Sequence, residues 1–212
     1  QYHAGHQSET AGYASGGMYA PPNTATYFAA ISKFPFATET DEVLVGNLAP
    51  GVPAASGAAG QSGAGYGYTS GGSTDATTPG IINFINRFPF AVDENATDVG
   101  DLSAARYQMA GLSSSSDGYN SGGYDGSHLN TIDKFPFSSL SNATDIGNLS
   151  LERGSASGAS SSTSGYTVGG ARPYYGGSHT DDVDKFPFST DTNATKTGDL
   201  GTARSLNATT QG

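Results

Sequence analysis

The tripeptide Phe-Pro-Phe occurs four times in this chain of 212 residues, at Phe34-Pro35-Phe36, Phe88-Pro89-Phe90, Phe135-Pro136-Phe137 and Phe186-Pro187-Phe188. The steps are 54, 47 and 51 residues. A second signature, Gly-Tyr-x-x-Gly-Gly, begins at Gly12, Gly67, Gly118 and Gly165. A third, Gly-[Asp/Asn]-Leu, begins at Gly46, Gly100, Gly147 and Gly198, always ten residues past the last Phe of Phe-Pro-Phe. Three signatures in one order, four times over, establish an internal repeat of about 50 residues. The invariant step marks a rigid strand–turn–strand. The segment from Gly-Gly to the next Phe-Pro-Phe varies from 11 to 16 intervening residues, as surface loops do.

Composition narrows the fold. Glycine (31) and proline (10) interrupt every window that could carry helical periodicity. Disorder is excluded by 12 Tyr and 10 Phe at regular places, since disordered chains are poor in aromatics. There is no run of 18 apolar residues, so no membrane-spanning helix is expected. With 19 acidic against 9 basic residues and no basic cluster, nucleic acid is not an expected partner. Cysteine is absent, which removes disulfides and thiolate metal sites and fits an exported or particle-borne β protein.

The unit 106–149 reads as four short strands. Tyr107 to Leu112 is followed by a turn at Ser113 to Asp117 and a return strand with Tyr119. Leu129 to Phe137 alternates, with Phe135 and Phe137 on one side. Asn142 to Asp145 is a turn with Asx chemistry, and Ile146 to Leu149 is the last strand. Pro136 cannot donate to a ladder, so a sheet edge or bulge is expected there. Four strands in about 50 residues make the blade of a β-propeller.

The Arg106, Ala110-Gly111, Tyr119, Gly122-Gly123 and Thr131 to Phe135 pattern resembles the kelch repeats. The family's tryptophan is missing, with Ile146 to Leu149 in its place, and the copy before Gly67-Tyr68 lacks the Arg. Repeats of this Phe-Pro-Phe kind resemble those of bacterial and phage proteins. The resemblance implies one all-β repeat domain over 1–212, a kelch-like β-propeller with four blades at about 2–48, 57–102, 106–149 and 154–200, each of four antiparallel strands. The four close a ring or belong to a larger one.

Candidate sites follow from the loops. Tyr19, Tyr27, Tyr124, Asp125, His128, Arg172, Tyr174, Tyr175 and His179 sit in the variable segments and are expected to gather on one side. Tyrosine joins an apolar face to a hydroxyl, which suits sugar stacking and protein contact. Asp93, Asn95, Thr97 and Asp101 place oxygens at alternate positions, as calcium loops do, and Asp191, Asn193, Thr195 and Asp199 repeat them; Asx turns use the same residues. Asn95, Asn142, Asn193 and Asn207 match the N-glycosylation pattern. No serine has a base spaced to activate it. A copper oxidase of the kelch-like kind would need Cys among its ligands.

These features lead to a non-enzymatic propeller on the outside of a cell or virion. It would act in adhesion or in binding a receptor or glycan through the Tyr loops, with no cofactor beyond calcium and no membrane insertion. The alternative is a structural subunit of a fibre, coat or filament without a small ligand. In either case the chain is expected to associate with copies of itself or to join a larger assembly.

Overall fold

The computed structural model describes residues 3–19, 26–38, 40–50, 55–74, 80–172 and 178–205. Among these residues the chain is all β, and most strands form four antiparallel sheets of four. The first sheet holds β1 (Ala4–Gln7), β2 (Ala11–Ser15), β5 (Ala30–Pro35) and β6 (Val43–Asn47); β3 (Met18–Tyr19) and β4 (Thr26–Tyr27) form a ribbon between β2 and β5. The second holds β7 (Ala59–Gly63), β8 (Tyr66–Ser73), β9 (Ile81–Pro89) and β10 (Thr97–Asp101). The third holds β11 (Ala110–Ser113), β12 (Asp117–Ser121), β13 (Thr131–Pro136) and β14 (Thr144–Asn148). The fourth holds β15 (Ser157–Ser160), β16 (Ser164–Val168), β17 (Asp182–Pro187) and β18 (Thr195–Asp199). Each sheet is one repeat, paired in sequence order.

The strand boundaries differ from expectation for local reasons. β11 begins at Ala110 rather than Tyr107, because Gln108 has φ 58° and a left-handed residue cannot extend a strand. Pro136 is not at an edge: it closes the inner strand β13, opposite Asp117, where the ladder needs no further donor. The bulge falls on the neighbouring strand. Ile132 pairs Gly147 and Asp133 pairs Asp145, leaving Ile146 as the extra residue. The same step recurs at Val45, Val99 and Thr197. β14 therefore starts two residues earlier than expected, at Thr144.

Neighbouring sheets meet through their first strands, β1 against β7, β7 against β11 and β11 against β15. The small residues of these strands have a steric cause. A Cβ on Gly60 would strike the Gly5 carbonyl, one on Gly111 the Gly60 carbonyl, and one on Gly158 the Gly111 carbonyl. Serine hydroxyls take up the backbone donors that no ladder satisfies. Gln7 N–H donates to Ser62 Oγ, Ser62 N–H to Ser113 Oγ and Ser113 N–H to Ser160 Oγ, at 3.1, 3.1 and 3.2 Å.

Beyond the first strands the three signatures build the junctions between sheets. Tyr13 packs on Phe88 and Phe90, Tyr68 on Phe135 and Phe137, and Tyr119 on Phe186 and Phe188. The glycine before each Tyr leaves room for the Phe ring of its own sheet; a Cβ on Gly118 would enter the Phe135 ring. The glycine of Gly-[Asp/Asn]-Leu admits the next sheet's loop. A Cβ on Gly46, Gly100 or Gly147 would strike the carbonyl of Glu94, Ser141 or Thr192.

Two junctions also hold a buried ion pair. Arg106 reaches Asp133 at 3.1 Å and Arg153 reaches Asp184 at 3.0 Å, all four side chains fully buried. The carboxylates also accept from the N–H and hydroxyl of Ser103 and of Ser150. Where the repeat lacks the Arg it also lacks the Asp: Asn86 stands there and accepts the Ala49 N–H. A neutral pair replaces a charged one, so no charge is buried alone.

Candidate functional site

The first strands lie side by side at a common level, so the turns joining first to second strands share one end. The segments joining second to third strands therefore share the other. That second end carries the variable loops. Short bridges (Ser56 to Ser73, Tyr107 to Tyr124, Gly154 to Ala171) tie the chain entering each sheet to the chain leaving its second strand.

There the third repeat's loop forms an interlocked aromatic group. Tyr124 meets Tyr107 edge-on at 5.6 Å and His128 at 5.2 Å. All three are half-buried. Burial raises the Tyr107 hydroxyl above its ordinary pKa, and the nearby Tyr124 and Tyr27 hydroxyls add to it. Burial lowers the His128 pKa, with Glu152 opposing, so the imidazole is neutral at pH 7. Gln108 and Ser155 line up beside them in left-handed conformations, φ 58° and 54°. Their N–H groups donate to the Gly57 and Gln108 carbonyls at 2.7 and 2.8 Å, which links the backbone entering the second, third and fourth sheets.

The remaining loop residues stand more openly. Tyr19 is 64% exposed on its ribbon. Asp125 is exposed, and its carboxylate accepts the Ser127 N–H within its own turn. His179 is exposed and bridges Ala171, while the Arg172 N–H donates to Ser178. Tyr174 and Tyr175 lie outside the described residues.

The opposite end holds a feature that the sequence reading passed over. A cavity of about 890 Å³ opens where the first-to-second turns of all four sheets converge. Ser and Thr are frequent among its lining residues, Ser8, Thr10, Ser62, Ser114 and Ser161 among them, with Glu9 and Phe90. Ser8, Ser114 and Ser161 each cap their own turn, accepting the N–H three residues on. These serines look like turn residues in the sequence because that is their local role. Their convergence depends on how the sheets pack.

The oxygen-bearing residues proposed for calcium serve the junctions instead of curling round one point. Asp93 pairs with Lys33 and Asp191 with Lys134 across junctions. Asn95 and Asn193 accept the N–H of Asn47 and Asn148. Thr97, Asp101, Thr195 and Asp199 belong to extended strands, β10 and β18. Asp199 comes near Asp181 and Asp182, but Lys196 already bonds Asp182 and Asp199.

The Asn-Ala-Thr motif has the same structural cause. Asn142 accepts the Asp101 N–H as Asn95 and Asn193 accept theirs. The alanines Ala96, Ala143 and Ala194 are buried against the preceding sheet and donate to its backbone. The three asparagines remain exposed at the surface. Asn207 lies outside the described residues.

No family model matches the sequence, and no curated protein matches it. The fold does have a counterpart among solved structures. The structure of YjhT superposes with a TM-score of 0.78 at 13% identity, over 97% of this chain and 72% of that one. The likeness, with the four-stranded antiparallel sheets, gives this chain a β-propeller-like fold.

Proposed function

We propose that the chain is a kelch-like β-propeller whose four sheets are blades, and that it is a non-enzymatic binding module outside a cell or on a virion. Its ligand would be a glycan or a protein receptor, gripped at the end that carries the variable loops. The observation behind this reading is the meeting of Tyr107, Tyr124 and His128 on a rigid scaffold. Loops on a rigid frame are where binding groups concentrate, and tyrosine supplies contact area with a hydrogen-bonding tip. Asp125, Arg172 and His179 supply polar direction around the rings.

The test replaces 124–128 with a Gly-Ser turn of equal length and screens the variant and the wild type on a glycan array and on cells. Loss of binding with an unchanged melting temperature supports the reading. Undiminished binding, or none by the wild type on any surface, overturns it. The reading as a structural subunit draws on a separate observation, the exposed apolar side chains Phe34, Phe36, Val43 and Leu44 of the first sheet.

A further inference from the structure

The end opposite the variable loops carries a cavity that the adhesion reading does not use. Its volume of about 890 Å³ lies within the roughly 300–1,000 Å³ of small-molecule sites. Its wall is built from the turns after β1, β7, β11 and β15, with Phe90 and Ala91, and those four strands are packed on one another inside the molecule. The outer faces of the first and last sheets take no part in it.

Ser8, Ser114 and Ser161 are spent on capping their own turns. Three other polar side chains of the wall are not spent. Ser62 and Ser113, both half-buried, each accept a backbone N–H of the preceding sheet, from Gln7 and Ser62 in turn, at 3.1 Å. That contact fixes each oxygen, while neither hydroxyl donates to an acceptor among the described residues. The Glu9 carboxylate has no hydrogen-bond or ion-pair partner among them either. Glu9 also departs from the repeat: the register of the first two strands puts Ala64, Ser115 and Ser162 at the equivalent turn positions.

We propose that this cavity is a second binding site, separate from the loop end, and that it takes a short neutral carbohydrate. A carboxylate only accepts and a serine hydroxyl can donate, so Glu9 suits the O–H groups of a sugar and Ser62 and Ser113 suit its oxygens. Phe90, held in place by its stacking on Tyr13 at 4.8 Å, and the glycines of the β7 turn suit its C–H faces. Other ligand classes fit less well. An apolar molecule would strip water from Glu9 and the two serines and give no hydrogen bonds back. An anion meets no cation here: Glu9 is the one ionisable side chain among the described lining residues, in a chain of net charge −10. A cation would find a single solvated carboxylate, which holds it weakly.

The test titrates the 212-residue chain, by ligand-observed saturation-transfer NMR, with neutral di- and trisaccharides of glucose, galactose, mannose and N-acetylglucosamine and with their uronic-acid and sulfated counterparts. At least one neutral sugar is expected to bind, and its acidic counterpart to bind at least tenfold more weakly. Glu9→Ala should weaken the neutral sugar at least tenfold, and Ser115→Leu, which adds bulk at the opening, should abolish its binding. Both positions are exposed, so melting temperatures are expected to stay within a degree or two of wild type. The variant with 124–128 replaced should bind the sugar as wild type does. No binding of any neutral sugar by the wild type overturns the proposal, as does equal affinity for the acidic counterpart. Binding that neither Glu9→Ala nor Ser115→Leu weakens also overturns it; if the 124–128 variant then abolishes that binding, the sugar sits at the loop end and the adhesion reading stands alone.

Discussion

The ring of Tyr119 stacks on Phe188 of the following sheet, with centroids 4.8 Å apart and planes 23° from parallel. Tyr13 on Phe90 and Tyr68 on Phe137 repeat that arrangement at the same 4.8 Å. Phe135 and Phe186 add a second, tilted contact to the same tyrosines. These aromatic pairs fill the space between sheets that are otherwise rich in Gly, Ala and Ser. Truncating Phe135 to Ala leaves a hole over Gly118 and against Tyr68 and is expected to cost about 3–5 kcal/mol. Phe36→Ala, on the open face of the first sheet, is expected to cost less than about 1 kcal/mol in the monomer. Chemical denaturation of the two variants at low concentration measures the contrast, and equal losses would refute this account of the junction.

The buried Arg106–Asp133 pair makes a second prediction. Burial pushes the Arg106 guanidinium below its ordinary pKa, and the Asp133 carboxylate opposes the shift. Asp133→Asn leaves a buried cation without its counter-charge and is expected to cost about 3–5 kcal/mol. The second sheet shows how a neutral version is satisfied, through Asn86 and a backbone donor. Joining Asp133→Asn with Arg106→Met should therefore recover at least half of the loss. A double-mutant cycle read by urea unfolding tests this, and additive losses would count against the coupling.

The repeat and its four strands were legible because each leaves a local mark at a fixed spacing. Gly122 and Gly123, part of the recurring Gly-Tyr-x-x-Gly-Gly signature, have φ of 64° and 116°, which glycine adopts without strain. The burial of Asp133 was not legible. Alternation of Ile132 with Asp133 looks like one buried and one wet face, yet both are fully buried, because sheets stacked side by side cover both faces. The serine-walled cavity was hidden for a related reason. Ser8, Ser62, Ser114 and Ser161 are about 50 residues apart in sequence, and only the packing of the first strands brings them together. The Tyr loops were found through their variable length, but the part of Tyr107 was missed, since the sequence places it in a strand.

The packing of the first strands offers a third test, of steric origin. Gly111 faces the Gly60 carbonyl so closely that an added methyl would collide with backbone, which cannot rotate away. Gly5 occupies the corresponding place in β1 and has open space. Gly111→Ala is expected to cost about 1–3 kcal/mol by overpacking, while Gly5→Ala stays within about 0.5 kcal/mol of wild type. Melting temperatures measured at low concentration decide it. A Gly111→Ala protein as stable as Gly5→Ala would mean that the first strands sit farther apart than described.

The last prediction is a pH dependence centred on His6. Its ring lies in β1 between the first two sheets, edge-on to Phe88 at 5.1 Å. Nδ1 lies 3.2 Å from the Gln61 carbonyl and donates to it, which leaves Nε2 to accept from Ser15 Oγ at 2.8 Å. Thr69 Oγ1 bonds Ser15 Oγ at 2.6 Å and closes the network. Burial pushes the His6 pKa down to about 4; the Gln61 carbonyl pulls the other way, and His3 adds slightly to the lowering. In the unfolded chain the same imidazole titrates near its ordinary 6.5. Between those values the unfolded state binds a proton that the folded state refuses, so stability rises with pH. His6 therefore has its full stabilising effect above about pH 6.5 and loses it as pH falls toward 4, by about 3 kcal/mol at most. His6→Gln keeps a donor and an acceptor in place and cannot titrate. The wild type should lose more stability than this variant between pH 7 and pH 4.5, with the difference growing steadily through that window. Parallel curves for the two proteins would show that His6 takes up its proton without opening the sheet junction, and the buried neutral imidazole would have to be abandoned.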